Sequence, residues 1–204
     1  DPEMSRGLGD VYKRQGMGSM LQASGLKLGA KPEELNITNP ELIESIHAKY
    51  AAAGSRIVNA NTFGASAHKL AGSAYSLEEI IAAGIANCKR ACAPYGALTA
   101  LDVGPLGELL EPSGTLAFED AVSEYARIVR AGAAAGADLI FFETFTDLYE
   151  LKAALLAAKE NSTLPILASM SFEAGGRTFT GCTVESFGVT ACGLGANAVG
   201  INCS

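Results

Sequence analysis

The sequence predicts an α/β fold of the (β/α) barrel class, and two observations lead to this prediction. Five short apolar segments each run directly into a polar or reactive residue, and an amphipathic helical stretch separates each segment from the next. Strands and helices that alternate in this way form a parallel sheet, and the functional groups of a barrel lie at the C-terminal ends of its strands. We therefore expect one rim to collect the residues that follow the five segments, which are Asn61, Asp102, Glu143, Ser171 and Cys203.

Capping signals mark the predicted helices between these strands. Asn39 and Pro40 suit the N-cap and first position of a helix that ends near Gly54. Ser76 and Glu79 have the spacing of a capping box at the start of the next helix. The remaining predicted helices cover residues 117–135, the residues after a Thr146–Asp147 cap, and residues 185–194.

Length and composition indicate one domain and argue against several kinds of partner. A chain of 204 residues can bury one core, whereas a complete eight-unit barrel takes about 250 residues. The net charge is −7 and no cluster of Lys and Arg is present, which argues against nucleic acid. No apolar run reaches the ~18 residues of a membrane span. With no signal peptide and an odd number of cysteines, five, we expect reduced thiols and a cytoplasmic protein.

The first residues differ from the rest of the chain. Residues 1–15 show neither helix nor strand periodicity, and residues 11–14 are a weak substitute for an apolar first strand. We interpret residues 1–15 as a non-native or disordered leader. The barrel domain is then expected to cover residues 16–204.

Glu143 is the residue that the sequence most strongly indicates as functional. A carboxylate that directly follows four apolar residues is partly desolvated at the barrel mouth, which is costly unless the charge is paired. A cationic substrate group is a natural partner, and the alternative is a salt bridge to a neighbouring Arg or Lys. Cys203 also follows a strand, where its thiolate could act as a nucleophile or a metal ligand, and the alternative is a buried structural cysteine.

Six short motifs occur in a fixed order along the chain, and together they are similar to the motifs of a known protein family. They cover residues 16–22, 35–40, 61–65, 102–105, 142–144 and 200–204. Together they resemble the homocysteine S-methyltransferase family, and the likeness is strongest to the N-terminal homocysteine-binding domain of the cobalamin-dependent methionine synthases. The resemblance covers residues 16–204.

The resemblance implies a fold and a metal site. The fold is a (β/α)8 TIM barrel, here incomplete, with strands two to six present, strands seven and eight missing and strand one doubtful. The family holds zinc by three cysteines, of which Cys203 matches one, and the adjacent Cys-Cys pair that supplies the others is expected beyond the end of this chain. The family's aspartate after strand one is expected at Arg14–Gln15 and is absent there.

The resemblance also implies an enzyme, a homocysteine S-methyltransferase of the methionine synthase type. The full-length parent would make methionine by methylating the homocysteine thiolate, with methylcobalamin on a separate domain as the methyl donor and a folate-binding domain as a further partner. This truncated chain is expected to be inactive and to bind zinc weakly. Glu143 is expected to bind the substrate amino group, and the further substrate-binding residues are expected to be Asn61, Thr62, Phe63, Asp102 and Ser171.

Three alternatives stay open on the sequence. The methyl donor could be betaine or S-methylmethionine, which other members of the family use. The chain could be a barrel fragment without independent activity. It could also be an unrelated barrel enzyme that binds a different cationic substrate through Glu143.

Overall fold

The computed structural model describes residues 17–26 and 29–204. These residues form a five-stranded sheet in which the strands follow chain order and every neighbouring pair is parallel. Strands in sequential parallel order, joined by helices, are the arrangement of a (β/α) barrel, so the predicted fold class is confirmed for five consecutive units. The strands are β1 (Ile57–Asn59), β2 (Leu98–Val103), β3 (Leu139–Phe145), β4 (Ile166–Met170) and β5 (Ala198–Ile201).

A helix lies between each pair of consecutive strands, and further helices precede β1. Short 3-10 helices cover Pro32–Glu34 and Ala93–Tyr95. The sequence did not predict the first two α-helices of the described ranges, α1 (Met17–Ala23) and α2 (Leu35–Thr38). The helices are α1 (Met17–Ala23), α2 (Leu35–Thr38), α3 (Pro40–Ala52), α4 (Leu77–Cys92), α5 (Phe118–Ala134), α6 (Leu148–Asn161) and α7 (Val184–Gly193).

The predicted capping residues begin the helices as expected. The Asn39 side chain accepts a hydrogen bond from the backbone N–H of Leu42 at the start of α3. Ser76 and Glu79 form a complete capping box at α4. At α6 the cap is Asp147, whose side chain accepts from the N–H of Tyr149. Local hydrogen bonding by short polar side chains therefore sets where these helices begin.

The main core lies between the sheet and its helices. Ile140 and Phe142 of β3 point towards this core, together with the fully buried Tyr125 of α5. Leu139 and Phe141 alternate with them and join a smaller cluster on the opposite face, the inner face of the barrel. The inner face is therefore apolar below the C-terminal ends of the strands.

Several predictions concern residues outside the described ranges. The predicted leader at residues 1–15, the doubtful first strand at residues 11–14 and the missing aspartate at Arg14–Gln15 all lie there. Among the helices in the described ranges, none has the length and the apolar character needed to cross a membrane.

Candidate functional site

The predicted rim residues lie at the C-terminal ends of the five parallel strands. Asn61 follows β1, Asp102 and Glu143 lie in the last residues of β2 and β3, Ser171 follows β4 and Cys203 follows β5. Asp102 and Glu143 are only 6% and 5% exposed, whereas Cys203 is exposed. This edge of the sheet thus holds two buried carboxylates and one accessible thiol.

Glu143 lies within a β-bulge of β3 at this edge. Phe142 pairs with Ala168 and Phe145 pairs with Met170, so β3 advances three residues where β4 advances two. The extra residue returns Phe145 to the helix-facing core, where its ring contacts Phe142. Glu143 follows Phe141 on the inner face, as strand alternation requires.

Asn202 connects the ends of three strands. Its Nδ2 donates to Thr144 Oγ1 at 2.8 Å and lies 3.5 Å from Glu143 Oε2. Its Oδ1 accepts a hydrogen bond from Ser169 Oγ at 3.0 Å. We did not predict Asn202 as a site residue, although its place directly before Cys203 at the end of β5 was a usable signal.

The turn that carries Cys203 is anchored on both sides. Ser171 Oγ donates to the carbonyl of Asn202 at 2.8 Å. On the other side, the backbone N–H of Phe172 donates to Ser204 Oγ at 2.9 Å. Cys203 itself has a φ of +54°, in the left-handed region. These bonds fix the backbone on either side of the thiol.

Asn61 and Thr62 form hydrogen bonds within the protein. Asn61 Nδ2 donates to the carbonyl of Pro32 at 2.8 Å and to Asn36 Oδ1 at 3.0 Å. Thr62 Oγ1 donates to the carbonyl of Asp102 at 2.8 Å and accepts from its N–H at 3.1 Å. These bonds join the ends of β1 and β2 and attach α2 to them, and the predicted substrate contacts of Asn61 and Thr62 stay predictions.

Phe63 covers the start of the loop after β2. Its ring packs so closely on Gly104 that a Cβ there would lie 2.6 Å from Phe63 Cε2. The ammonium of Lys69 lies 5.2 Å from the centre of the same ring, a cation–π distance. Phe63 is 36% exposed, so one side of the ring faces solvent at the rim.

A buried carboxylate, Glu150, anchors the loop after β2 from below. Its Oε1 accepts hydrogen bonds from the N–H of Leu106 at 2.7 Å and from the Tyr125 hydroxyl at 2.8 Å. Burial raises the pKa of Glu150, and these two donors oppose that rise. We did not predict this residue, because a glutamate in the first turn of a helix resembles an ordinary exposed residue.

A second buried carboxylate, Glu33, anchors the loop after β1. Its Oε1 accepts from the N–H of Gly64 at 2.8 Å, and burial raises its pKa. Lys69 belongs to the loop after β1, and its Nζ donates to the carbonyl of Pro105 in the loop after β2 at 2.5 Å. Burial lowers the pKa of Lys69, and the charges of Glu33 and Glu150 oppose that change. The two loops are thus held by two buried carboxylates and one half-buried ammonium group.

The described residues do not form a complete metal site. Within residues 17–26 and 29–204, no group of three or more His, Cys, Asp and Glu side chains is placed to hold a metal ion. Cys203 offers one thiolate, whereas a catalytic zinc site takes three ligands from the protein. None of the five cysteines forms a disulfide. A zinc ion at Cys203 would therefore need ligands from outside the described residues.

Comparison with known proteins identifies relatives in sequence. The chain is 29% identical over 208 residues to the methionine synthase of Mycobacterium tuberculosis (strain ATCC 25618 / H37Rv). It is 27% identical over 209 residues to the methionine synthase of Mycobacterium leprae (strain TN). In both cases the match covers 92% of this chain but only 17% of the relative.

Solved structures share the fold. The homocysteine methyltransferase MmuM from Escherichia coli, in its metallated form, superposes with a TM-score of 0.83 over 95% of this chain and 75% of that chain, at 22% identity. Its apo form gives a TM-score of 0.70 at 20% identity, over 93% of this chain and 70% of that chain.

The family itself is identified by a sequence model that covers almost the whole chain. The model for homocysteine S-methyltransferases matches residues 16–204. This match agrees with the resemblance of the six sequence motifs and with the parallel sheet. The chain therefore belongs to the homocysteine S-methyltransferase family.

Proposed function

We propose that this chain is the homocysteine-binding part of a longer methionine synthase, called here the full-length protein. That protein makes methionine by methylating the thiol of homocysteine. Membership of the family and the two mycobacterial relatives support the proposal. The observation that carries it is Glu143, a carboxylate that is 5% exposed and lies in a bulge at the C-terminal edge of the sheet.

The charge of Glu143 suits one end of homocysteine. The amino group of an α-amino acid is a cation at neutral pH, and a hydrogen bond between an ammonium and a carboxylate is stronger than one between neutral groups. A buried carboxylate gains most from such a partner, since its own hydration has been lost. Glu143 would thus bind the ammonium group, with Asp102, Phe63 and Ser171 at the same rim. Asn61 and Thr62 would hold that rim in place.

Cys203 suits the other end of the substrate. It lies at the end of β5, is exposed, and is held by anchored neighbours. We propose that it is one thiolate ligand of a zinc ion in the full-length protein, with the remaining ligands supplied from outside the described residues.

The identity of the methyl donor is a more specific part of the proposal. The relatives named methionine synthase are much longer than this chain, which leaves room in them for further domains. We propose methylcobalamin on a separate domain as the donor, with a folate-binding domain as a further partner. The likeness to MmuM, at 22% identity, bears on the fold alone and does not favour another donor.

Replacing Glu143 with glutamine tests the substrate site. In the full-length protein, we expect L-homocysteine to bind about 10- to 150-fold more weakly, because a hydrogen bond to a charged group contributes roughly 1.5 to 3 kcal/mol. Isothermal titration calorimetry measures the dissociation constant, and zinc content should stay unchanged.

A matched control is available at the same edge. Glu173 follows β4 and is exposed, so E173Q removes a carboxylate charge without touching the proposed site. We expect E173Q to bind homocysteine as the wild type does. Equal dissociation constants for the wild type and E143Q would remove Glu143 from the site.

A further inference from the structure

The backbone at Thr144 is strained, and the strain lies beside the proposed substrate carboxylate. Thr144 has a φ of +64°, a region that glycine enters freely and a β-branched residue rarely adopts. A residue held there costs about 1 to 3 kcal/mol, and such residues persist where surrounding structure holds them. A threonine in place of glycine here directs attention to the contacts of its side chain.

The Thr144 hydroxyl provides a contact to another strand. It accepts a hydrogen bond from Asn202 Nδ2 at 2.8 Å, across β4 and from a residue 58 positions further along the chain. Ser169, which is 3% exposed, donates to Asn202 Oδ1 at 3.0 Å. The hydroxyls of Ser169 and Thr144 can each donate or accept, whereas the Glu143 carboxylate oxygen beside the amide only accepts, so the amide nitrogen faces Thr144 and Glu143. The orientation of the amide is thus fixed by its partners.

We propose that Asn202 is a positioning residue for Glu143, and that Thr144 is the group through which it acts. The Asn202 amide fixes the backbone of the bulge through its hydrogen bond to Thr144, and its N–H lies beside the Glu143 carboxylate. The carboxylate is therefore held in position before substrate binds. Preorganised groups bind more tightly because less side-chain freedom is lost on binding. The role in homocysteine binding rests on the function proposed above, whereas the positioning itself is a property of the fold.

A double-mutant cycle separates positioning from a direct contact. In the full-length protein we expect N202A to weaken homocysteine binding by up to about 10-fold, the upper size of one hydrogen bond between neutral groups. If Asn202 acts through Glu143, then adding N202A to E143Q should weaken binding little further. Fully additive losses in the double variant would overturn the proposal.

Two substitutions of Thr144 test the hydroxyl. Thr144→Val keeps the β-branched shape and removes the acceptor, so we expect it to weaken binding as N202A does. Thr144→Ser keeps the acceptor and should bind homocysteine as the wild type does. Equal affinities for the valine and serine variants would contradict the proposal.

Asn197 provides a control for stability. It lies at the opposite end of β5, where its Oδ1 accepts from the N–H of Ile166 in β4 at 2.8 Å. N197A removes a comparable bond between the same two strands, far from Glu143. We expect N197A to lower stability without changing homocysteine affinity. An equal loss of affinity in N197A and N202A would show that general loosening of β5 is the cause.

A crystal structure of the N202A variant tests, without any ligand, whether Asn202 positions the Glu143 carboxylate. We expect the Glu143 carboxylate to move by about 1 Å or more, a displacement that is large for a binding site. A Glu143 side chain that stays in place would overturn the proposal. If the wild type fails to bind homocysteine, the proposed function is wrong, and this structure still tests whether Asn202 positions Glu143.

Discussion

Replacing Glu150 with alanine is expected to destabilise the protein by about 2 to 6 kcal/mol. The reason is that two buried donors, the N–H of Leu106 and the hydroxyl of Tyr125, lose their acceptor together. An unsatisfied buried group costs about 1 to 3 kcal/mol. Burial of the carboxylate is itself unfavourable and raises its pKa, so removing the carboxylate recovers part of this loss. We therefore expect a destabilisation in the lower half of the range of about 2 to 6 kcal/mol. Urea unfolding of the 204-residue chain measures it.

Two comparison variants make this result specific. E150Q keeps an acceptor oxygen of similar position, so we expect it to lose much less stability than E150A. E160A removes an exposed glutamate from the same helix and should change stability by no more than about 0.5 kcal/mol. If E150A and E160A unfold at the same urea concentration, Glu150 does not anchor the loop after β2.

His47 is expected to make the protein less stable in mild acid. It is fully buried in α3, and burial lowers its pKa from 6.5 to about 4. Between those values the unfolded chain binds a proton that the folded protein does not. The stability from a neutral His47 is thus complete above pH 6.5 and is lost as the pH falls towards 4. The loss approaches about 3 kcal/mol, at 1.36 kcal/mol for each pKa unit.

The two histidines of the chain allow a matched comparison. We expect H47L to flatten the dependence of unfolding free energy on pH between 6.5 and 4, relative to the wild type. H68Q replaces the exposed histidine beside Glu108 and is the comparison variant, and we expect H47L to flatten the curve more than H68Q does. Glu33 and Glu150 also titrate in acid, but they do so in all three proteins. If the unfolding free energy of the wild type and of H47L depends on pH in the same way, the lowered pKa of His47 is contradicted.

The parts of the fold that could be predicted depend on local signals. The caps at Asn39, Ser76 and Asp147 bond to residues two or three positions away, so their spacing is visible in the sequence. The helix α2 is a single turn, and it is held by contacts between Asn36 and Asn61, 25 positions apart. No local pattern predicts an element that depends on such distant contacts.

The residues of the candidate site also differ in whether a local sequence signal indicates their place. Glu143 and Cys203 stand where apolar segments end, and the sequence therefore indicates their place at the rim. The bulge at Thr144 has no such signal, because a threonine is an unexpected residue at a positive φ. Glu33 and Glu150 have the pattern of exposed glutamates near helix starts, and only the loops packed over them make them buried.

The most direct test of the proposed function is a crystal structure of the full-length protein with L-homocysteine bound. We predict that the substrate ammonium lies about 2.7 to 2.9 Å from a carboxylate oxygen of Glu143, the distance of a charge-assisted hydrogen bond. Its thiol should point towards Cys203 at the end of β5. Homocysteine bound away from the C-terminal edge of the sheet, or with its ammonium on another residue, would contradict the proposal.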